Sequence, residues 1–190
     1  LIDTLLADER SHHAVTTFYD PTSRYAGNTF LGLAPNEPYT VSVADLLAVT
    51  LLDVNPPAAV VRELLPGGRL ANHTSALLAR VPLGVALWEV TDTDPAWSKA
   101  LWSLLKDAPG VGSTIAGKIV ARKRPELIPI VDSVVTGRLE CVTGTYWTTF
   151  RQILRDHGRR ARIASLAPHT PVLRALDTLM WMHSRRGGLS

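Results

Sequence analysis

Cysteine is nearly missing from this sequence: Cys141 is the single one in 190 residues. That excludes an internal disulfide, a cysteine-built zinc site and a cysteine-ligated iron–sulfur cluster, and no disulfide-linked partner is expected. Long apolar runs are absent too, so no segment reads as a bilayer span and no membrane partner is expected. The first ten residues, LIDTLLADER, are acidic and lack the basic start of a signal peptide, which points to a cytoplasmic location. The chain opens on Leu1, so a leading segment can precede it. Charged residues make up 19% against 46% hydrophobic, a balance that rules out general disorder. Internal repeats and low-complexity stretches are lacking. His12-His13 has no Cys or acidic partner at ligand spacing, so no metal site is expected.

What is present is a split charge. Residues 1–94 carry 5 Lys/Arg against 11 Asp/Glu, a net of −6, whereas residues 95–190 carry 15 against 6, a net of +9. A basic half fits a polyanionic partner, most often nucleic acid, and a DNA-binding chain would be nucleoid-associated. A solvated basic face is the alternative reading of the same numbers.

Helical patterns fill most of the chain and predict an all-α fold. Leu1–Arg10 reads as a short helix with Ile2, Leu5 and Leu6 on one face. From Ser11 to Tyr39 turn signals dominate, and short extended pieces fit Val15–Tyr19 and Thr29–Leu33, so an irregular N-terminal segment is expected. Ser42 with Asp45 is a capping start. Leu46–Leu52 is apolar nearly all round, which predicts a buried helix. Pro57 opens a helix to about Leu65, and another covers Leu70–Arg80. Asp94-Pro95 starts a helix whose Trp97, Leu101, Leu104 and Leu105 face a core. A second follows from about Ser113 to Lys123, with Ile115, Ala116, Ile119 and Val120 apolar and Thr114, Lys118 and Arg122 as a polar stripe at spacing four. Ser133–Leu139 is a further helix. Tyr146, Phe150, Ile153 and Leu154 mark the next, with Arg151, Arg155 and Arg159 on its other side. Thr170-Pro171 opens the last, where Leu173, Leu176, Met180 and His183 share a face. Three parts follow: an N-terminal segment, 1–40, packing with the C-terminal helices; a helical subdomain, 41–140; and the C-terminal helices, 141–190.

Between a helix that ends before Pro109 and one that begins near Ser113 stands Gly110-Val111-Gly112. Glycines permit positive φ and close backbone approach. The free N–H groups and positive dipole end of the second helix make a natural phosphate site. Lys118, Arg122, Lys123 and Arg124 add four positive charges with no acid between them. The candidate phosphate contacts are therefore Gly110, Val111, Gly112, Ser113, Thr114, Lys118 and Arg122, with Lys123, Arg124, Arg151 and Arg155 as further DNA contacts. A plain helix–helix turn is the bland alternative.

The segment Ala108-Pro109-Gly110-Val111-Gly112-Ser113-Thr114-Ile115-Ala116 resembles the helix-hairpin-helix motif, Leu-Pro-Gly-Val-Gly-x-x-Thr-Ala. Further on, Ile128-Pro129-Ile130-Val131-Asp132-Ser133-Val134-Val135 resembles the Pro-x-Val-Asp-Thr-His-Val segment of the endonuclease III-like DNA glycosylases, named for a hairpin, a Gly/Pro-rich loop and an Asp. The whole sequence is also similar to an actinobacterial protein family of no assigned function. The glycosylase resemblance spans Asp107 to about Val135 and implies two helical subdomains, a helix-hairpin-helix at about 95–123, and a cleft between the subdomains. It implies that the hairpin grips DNA phosphates and that Asp132 is the catalytic carboxylate beside an extruded nucleotide. No cofactor is implied, and a monovalent cation at the hairpin is allowed for.

The departures shape the expectation. Ser113-Thr114 stands where lyase members carry a nucleophilic Lys, and Lys118, one turn on, should point elsewhere, so base release without a lyase step is expected. Ser133-Val134 replaces the family's Thr-His. Asp132 directly before Ser133 also reads as an ordinary N-cap. Aromatic candidates for a base pocket are Trp88, Trp102, Tyr146, Trp147 and Trp181, with Tyr146, Trp147 and Trp181 preferred, and each also reads as core. The leading expectation is a monofunctional DNA N-glycosylase. The alternatives are a DNA-binding module without chemistry, and an all-α protein acting on a protein or small molecule with an incidental basic face. The sequence sets no oligomeric state.

Overall fold

The computed structural model describes residues 1–91, 96–106, 108–130, 135 and 146–186. Among these the chain is all-helical: eleven α-helices, one 3-10 turn at Leu87–Glu89, and no strand. In order they are α1 (Ile2–Ala7), α2 (Glu9–Tyr19), α3 (Gly27–Gly32), α4 (Val43–Thr50), α5 (Ala58–Leu64), α6 (Ala71–Leu78), α7 (Ala96–Lys106), α8 (Ser113–Lys123), α9 (Tyr146–Arg155), α10 (His157–Leu166) and α11 (Val172–Arg186). Among the described residues no helix is long and apolar enough to cross a membrane.

Capping chemistry sets several boundaries. Asp8 ends α1 and caps α2, accepting from the Arg10 N–H at 3.0 Å, so the expected helix Leu1–Arg10 is two helices meeting at Asp8. Ser42 and Asp45 form the expected reciprocal box at the start of α4. Asp156 accepts from the Arg159 N–H at 2.8 Å and starts α10, breaking the basic run of Arg151, Arg155 and Arg159 into two helices that do not share one face.

The expected irregular stretch from Ser11 to Tyr39 contains α2 and α3 instead. Its few apolar residues hid the pattern: α2 buries only Ser11, Ala14 and Val15, and it meets α11 through Phe18 against Trp181 and Tyr19 against Thr178. The helix expected to be buried all round, α4, turns two apolar residues outward, Val43 at 66% and Leu47 at 52% exposure.

Two apolar cores result. The first gathers α4 to α8, with Val49, Val60, Leu64, Leu101, Leu105, Ile119 and Val120 at its centre. In the second, Ile2, Leu5, Leu6 and Val15 from α1 and α2 join Phe150, Leu154, Ile163, Leu173, Leu176 and Met180 of α9 to α11. Trp147 packs against both. The segment 124–130 leaves α8 with Leu127 and Ile128 in the first core, and Val135 belongs to the second.

Candidate functional site

The turn between α7 and α8 has the conformation its glycines permit. Gly110 sits at φ +83, where a side chain is strained, and a Cβ there would stand 3.0 Å from Pro57 Cγ. Val111 is buried, so the turn is pinned by one apolar side chain. Gly112 is the N-cap of α8 and supplies no side-chain cap. Gly110, Gly112, Ser113 and Thr114 are exposed. The first N–H groups of α8 therefore have no side-chain cap, at the end of the helix that favours an anion.

The cations behind the turn have a different fate from the expected one. Lys118, Arg122, Lys123 and Arg124 are all buried. Lys118 Nζ donates to Leu52 O at 2.5 Å. Arg122, 1% exposed, donates from Nε to Asp45 Oδ1 at 2.9 Å, and from its two terminal nitrogens to Phe30 O and Leu33 O. Lys123 Nζ reaches Asp45 Oδ2, Glu37 O at 2.9 Å and Asn36 Oδ1 at 3.2 Å. Burial lowers its pKa from the usual lysine range, with the Asp45 carboxylate acting in opposition. Arg124 donates to Val81 O, Pro38 O and Leu78 O. Arg122, expected as a phosphate contact, and Lys123 and Arg124, expected as further DNA contacts, are internal ties that hold the 30–38 segment, Asp45 and residues 78–81 around the end of α8, and Lys118, also expected at phosphate, is buried and tied to Leu52 O. Arg151 is corrected likewise: it is buried and donates to Thr91 O at 3.0 Å. Arg155 is exposed. Six of the basic half's 15 cations, Arg174 included, are internal, so the +9 count overstates its surface charge.

Between the cores lies a cavity of about 630 Å³, within the roughly 300–1,000 Å³ of small-molecule sites. One side brings Phe18 and Tyr19 of α2, Tyr25, and Trp181 of α11. Phe18 meets Trp181 at 5.6 Å and Tyr25 at 5.5 Å between ring centroids, and Tyr25 meets Trp181 edge-on at 6.4 Å. Phe18, Tyr25 and Trp181 are only half-buried. Gly27 makes room for this cluster, since a Cβ there would fall 2.3 Å from the Phe18 ring. Asp53, Thr114 and Lys118 line the cavity too. Lys118 was expected to point away from the position of Thr114; both line the same cavity, one helical turn apart on α8.

The floor is polar. Tyr19 Oη donates to Arg174 O at 2.9 Å and shares a hydrogen bond with Thr178 Oγ1 at 2.8 Å. Burial raises its pKa far above the usual tyrosine value, so the hydroxyl stays protonated. Arg174 pairs with Asp177 at 2.9 Å and donates to Pro125 O at 3.1 Å and to Ile128 O. Asp177 Oδ2 accepts from the Ile130 N–H at 3.3 Å. Ile130 and Val135 both line the cavity.

Of the preferred pocket aromatics, Trp181 alone lines the cavity. Tyr146 is buried against Phe150 at 4.5 Å and donates to Ile130 O, while Trp147 packs between the cores. Trp88 carries Arg160 over its ring and Trp102 carries Lys106. Asp132, and the helix expected over Ser133–Leu139 apart from Val135, lie outside the described residues. Among the described residues no group of three or more His, Cys, Asp or Glu could hold a metal. The sequence reading missed Phe18, Tyr19, Tyr25 and Phe30. A signal was there: four of the chain's twelve aromatic residues fall within residues 18–30, a stretch otherwise marked by turns.

A search of curated proteins gives no match, and neither does a search of solved structures. Residues 11–184 match the profile of a family of unknown function (DUF6308), and the chain belongs to that family.

Proposed function

We propose, since membership of this family assigns no activity, that the chain is a DNA-binding protein of the base-excising kind: a monofunctional N-glycosylase that grips a strand at the Gly110–Thr114 turn and takes one extruded nucleotide into the cavity. The observation that carries the reading is the adjacency of turn and cavity. Thr114 ends the exposed turn and lines the aromatic-walled space between the cores. A base inside a duplex is out of reach, so it must be flipped out and held against rings. Cleaving its bond to the sugar builds positive charge there, which a fixed carboxylate stabilises. Asp132 is that carboxylate by resemblance, and it stands in sequence between Ile130 and Val135, two cavity-lining residues. The helix-hairpin-helix resemblance supplies the phosphate grip, which now rests on the exposed turn and the first N–H groups of α8.

The test is incubation with duplexes bearing assorted lesions, followed by hot alkali. Strand cleavage at a lesion marks an abasic site, and Asp132→Asn should abolish it while DNA binding persists. DNA binding without cleavage across a broad panel would instead support the second reading, a DNA-binding module without chemistry, which the replacement of the motif's Thr-His by Ser133-Val134 favours. Salt-insensitive or absent DNA binding would sink both.

A further inference from the structure

Arg174, 2% exposed, lines the cavity and carries more donor groups than the protein uses. Nε donates to Pro125 O at 3.1 Å, and Nη2 serves Ile128 O and Asp177 Oδ2, the latter at 2.9 Å. Nη1 is buried and has no hydrogen-bond partner among the described residues. A guanidinium can only donate, so its remaining N–H groups call for an acceptor. Leaving a buried charged donor unmet is costly, and a ligand oxygen removes that cost. The polar groups around it are already engaged with one another. Tyr19 Oη gives its proton to Arg174 O, so Thr178 Oγ1 is the donor in the bond that the two hydroxyls share. Asp177 Oδ2 takes both Arg174 and the Ile130 N–H. That carboxylate also compensates the guanidinium charge, so the acceptor that fits is a neutral oxygen and not an anion. The rings of Phe18, Tyr25 and Trp181 line the same cavity, a wall suited to a flat ligand.

We infer that the cavity selects a nucleobase with a carbonyl oxygen on the edge away from its sugar, which accepts from Arg174 Nη1 while the ring lies against Phe18, Tyr25 and Trp181. An amino group in the same place sets donor against donor and leaves both unmet. The ligand class rests on the reading of the cavity as a base pocket, but not on Asp132 and not on any reaction. A free base and a strand-borne one present the same edge.

The test is calorimetric titration of the intact chain with inosine against adenosine and uridine against cytidine. Each pair differs by oxygen for an amino group on that edge. Short single strands carrying one hypoxanthine or one adenine among identical neighbours are titrated alongside. In at least one comparison the oxo member should bind roughly tenfold more tightly than its amino counterpart. Arg174→Lys keeps a positive charge beside Asp177 and removes Nη1, and should bring the ratio to within about twofold. Trp181→Leu should weaken oxo and amino members together and leave the ratio unchanged. The preference is read on the unaltered chain, so it decides the inference even where the Arg174 variant fails to fold. A preference shown by the strands alone identifies a strand-borne base, and one shown by the nucleosides alone a free base. The inference is overturned if nothing binds at millimolar concentration, if no comparison favours the oxo member, or if the preference survives Arg174→Lys. Base excision without the preference would leave the base-pocket reading standing and remove this inference, whereas the preference without excision would do the reverse for the enzyme.

Discussion

Asp45 holds two structures together with one carboxylate. Oδ2 accepts from Ser42 N–H at 2.7 Å and Ser42 Oγ at 2.9 Å, closing the start of α4. The same group takes Arg122 at Oδ1 and Lys123 at Oδ2 from the end of α8. All three charged side chains are buried, so the pairing is judged by what its loss would leave behind. Asp45→Asn keeps the shape and removes the charge, stranding two cations, and should cost about 3–5 kcal/mol by urea unfolding. Ser42→Ala removes only the cap and should cost about 1 kcal/mol. Equal costs for the two variants would mean that the cap, and not the charge, is what Asp45 contributes. Ser42 and Asp45 were legible in the sequence as a cap because capping acts over three residues. Arg122 lies 77 positions away, and no spacing rule reaches that far.

At the scale of elements, the two glycines of the α7–α8 turn separate in role. Gly110 has φ +83 and faces Pro57. Gly112 has φ −75 and nothing within 4 Å of a Cβ. Gly110→Ala should destabilise by roughly 1–2 kcal/mol, whereas Gly112→Ala should stay within about 0.5 kcal/mol of the parent. Thermal melts of the two variants decide this, and a Gly112 cost as large as that of Gly110 would contradict it. The helix from Ser113 to Lys123 is where its periodicity put it, and so is α9, which carries Tyr146, Phe150, Ile153 and Leu154. Periodicity failed for α2, which buries only Ser11, Ala14 and Val15 and meets α11 through Phe18 and Tyr19, so no stripe of large aliphatic residues marks it.

Across the whole molecule, residues of the second core hold the segment that leaves the first. Arg174 and Asp177 of α11 and Tyr146 of α9 bind Pro125 O, Ile128 O, Ile130 N and Ile130 O. Arg174→Met would cut two of these ties and remove the ion pair with Asp177, at a cost of about 3–5 kcal/mol in denaturant unfolding. A loss under about 1 kcal/mol would show that apolar packing alone joins the two cores. The cavity depends on the same junction, since its walls draw on α2, α8 and α11, separated by most of the chain.

The all-α class, the cap at Ser42, the start of the last helix after Thr170-Pro171 and the glycine turn at 110–112 were legible in the sequence alone, because helix periodicity, capping and φ > 0 are local properties. It also put Thr114, Lys118 and Arg122 on one face of α8, since spacing alone sets a helix face. What that face meets depends on packing between distant parts of the chain. Lys118 lines a cavity, and Arg122 is sealed against Asp45, Phe30 O and Leu33 O. A cation is stable inside when distant carbonyls and a carboxylate replace its water, and those partners are brought to it only by the packing of the chain.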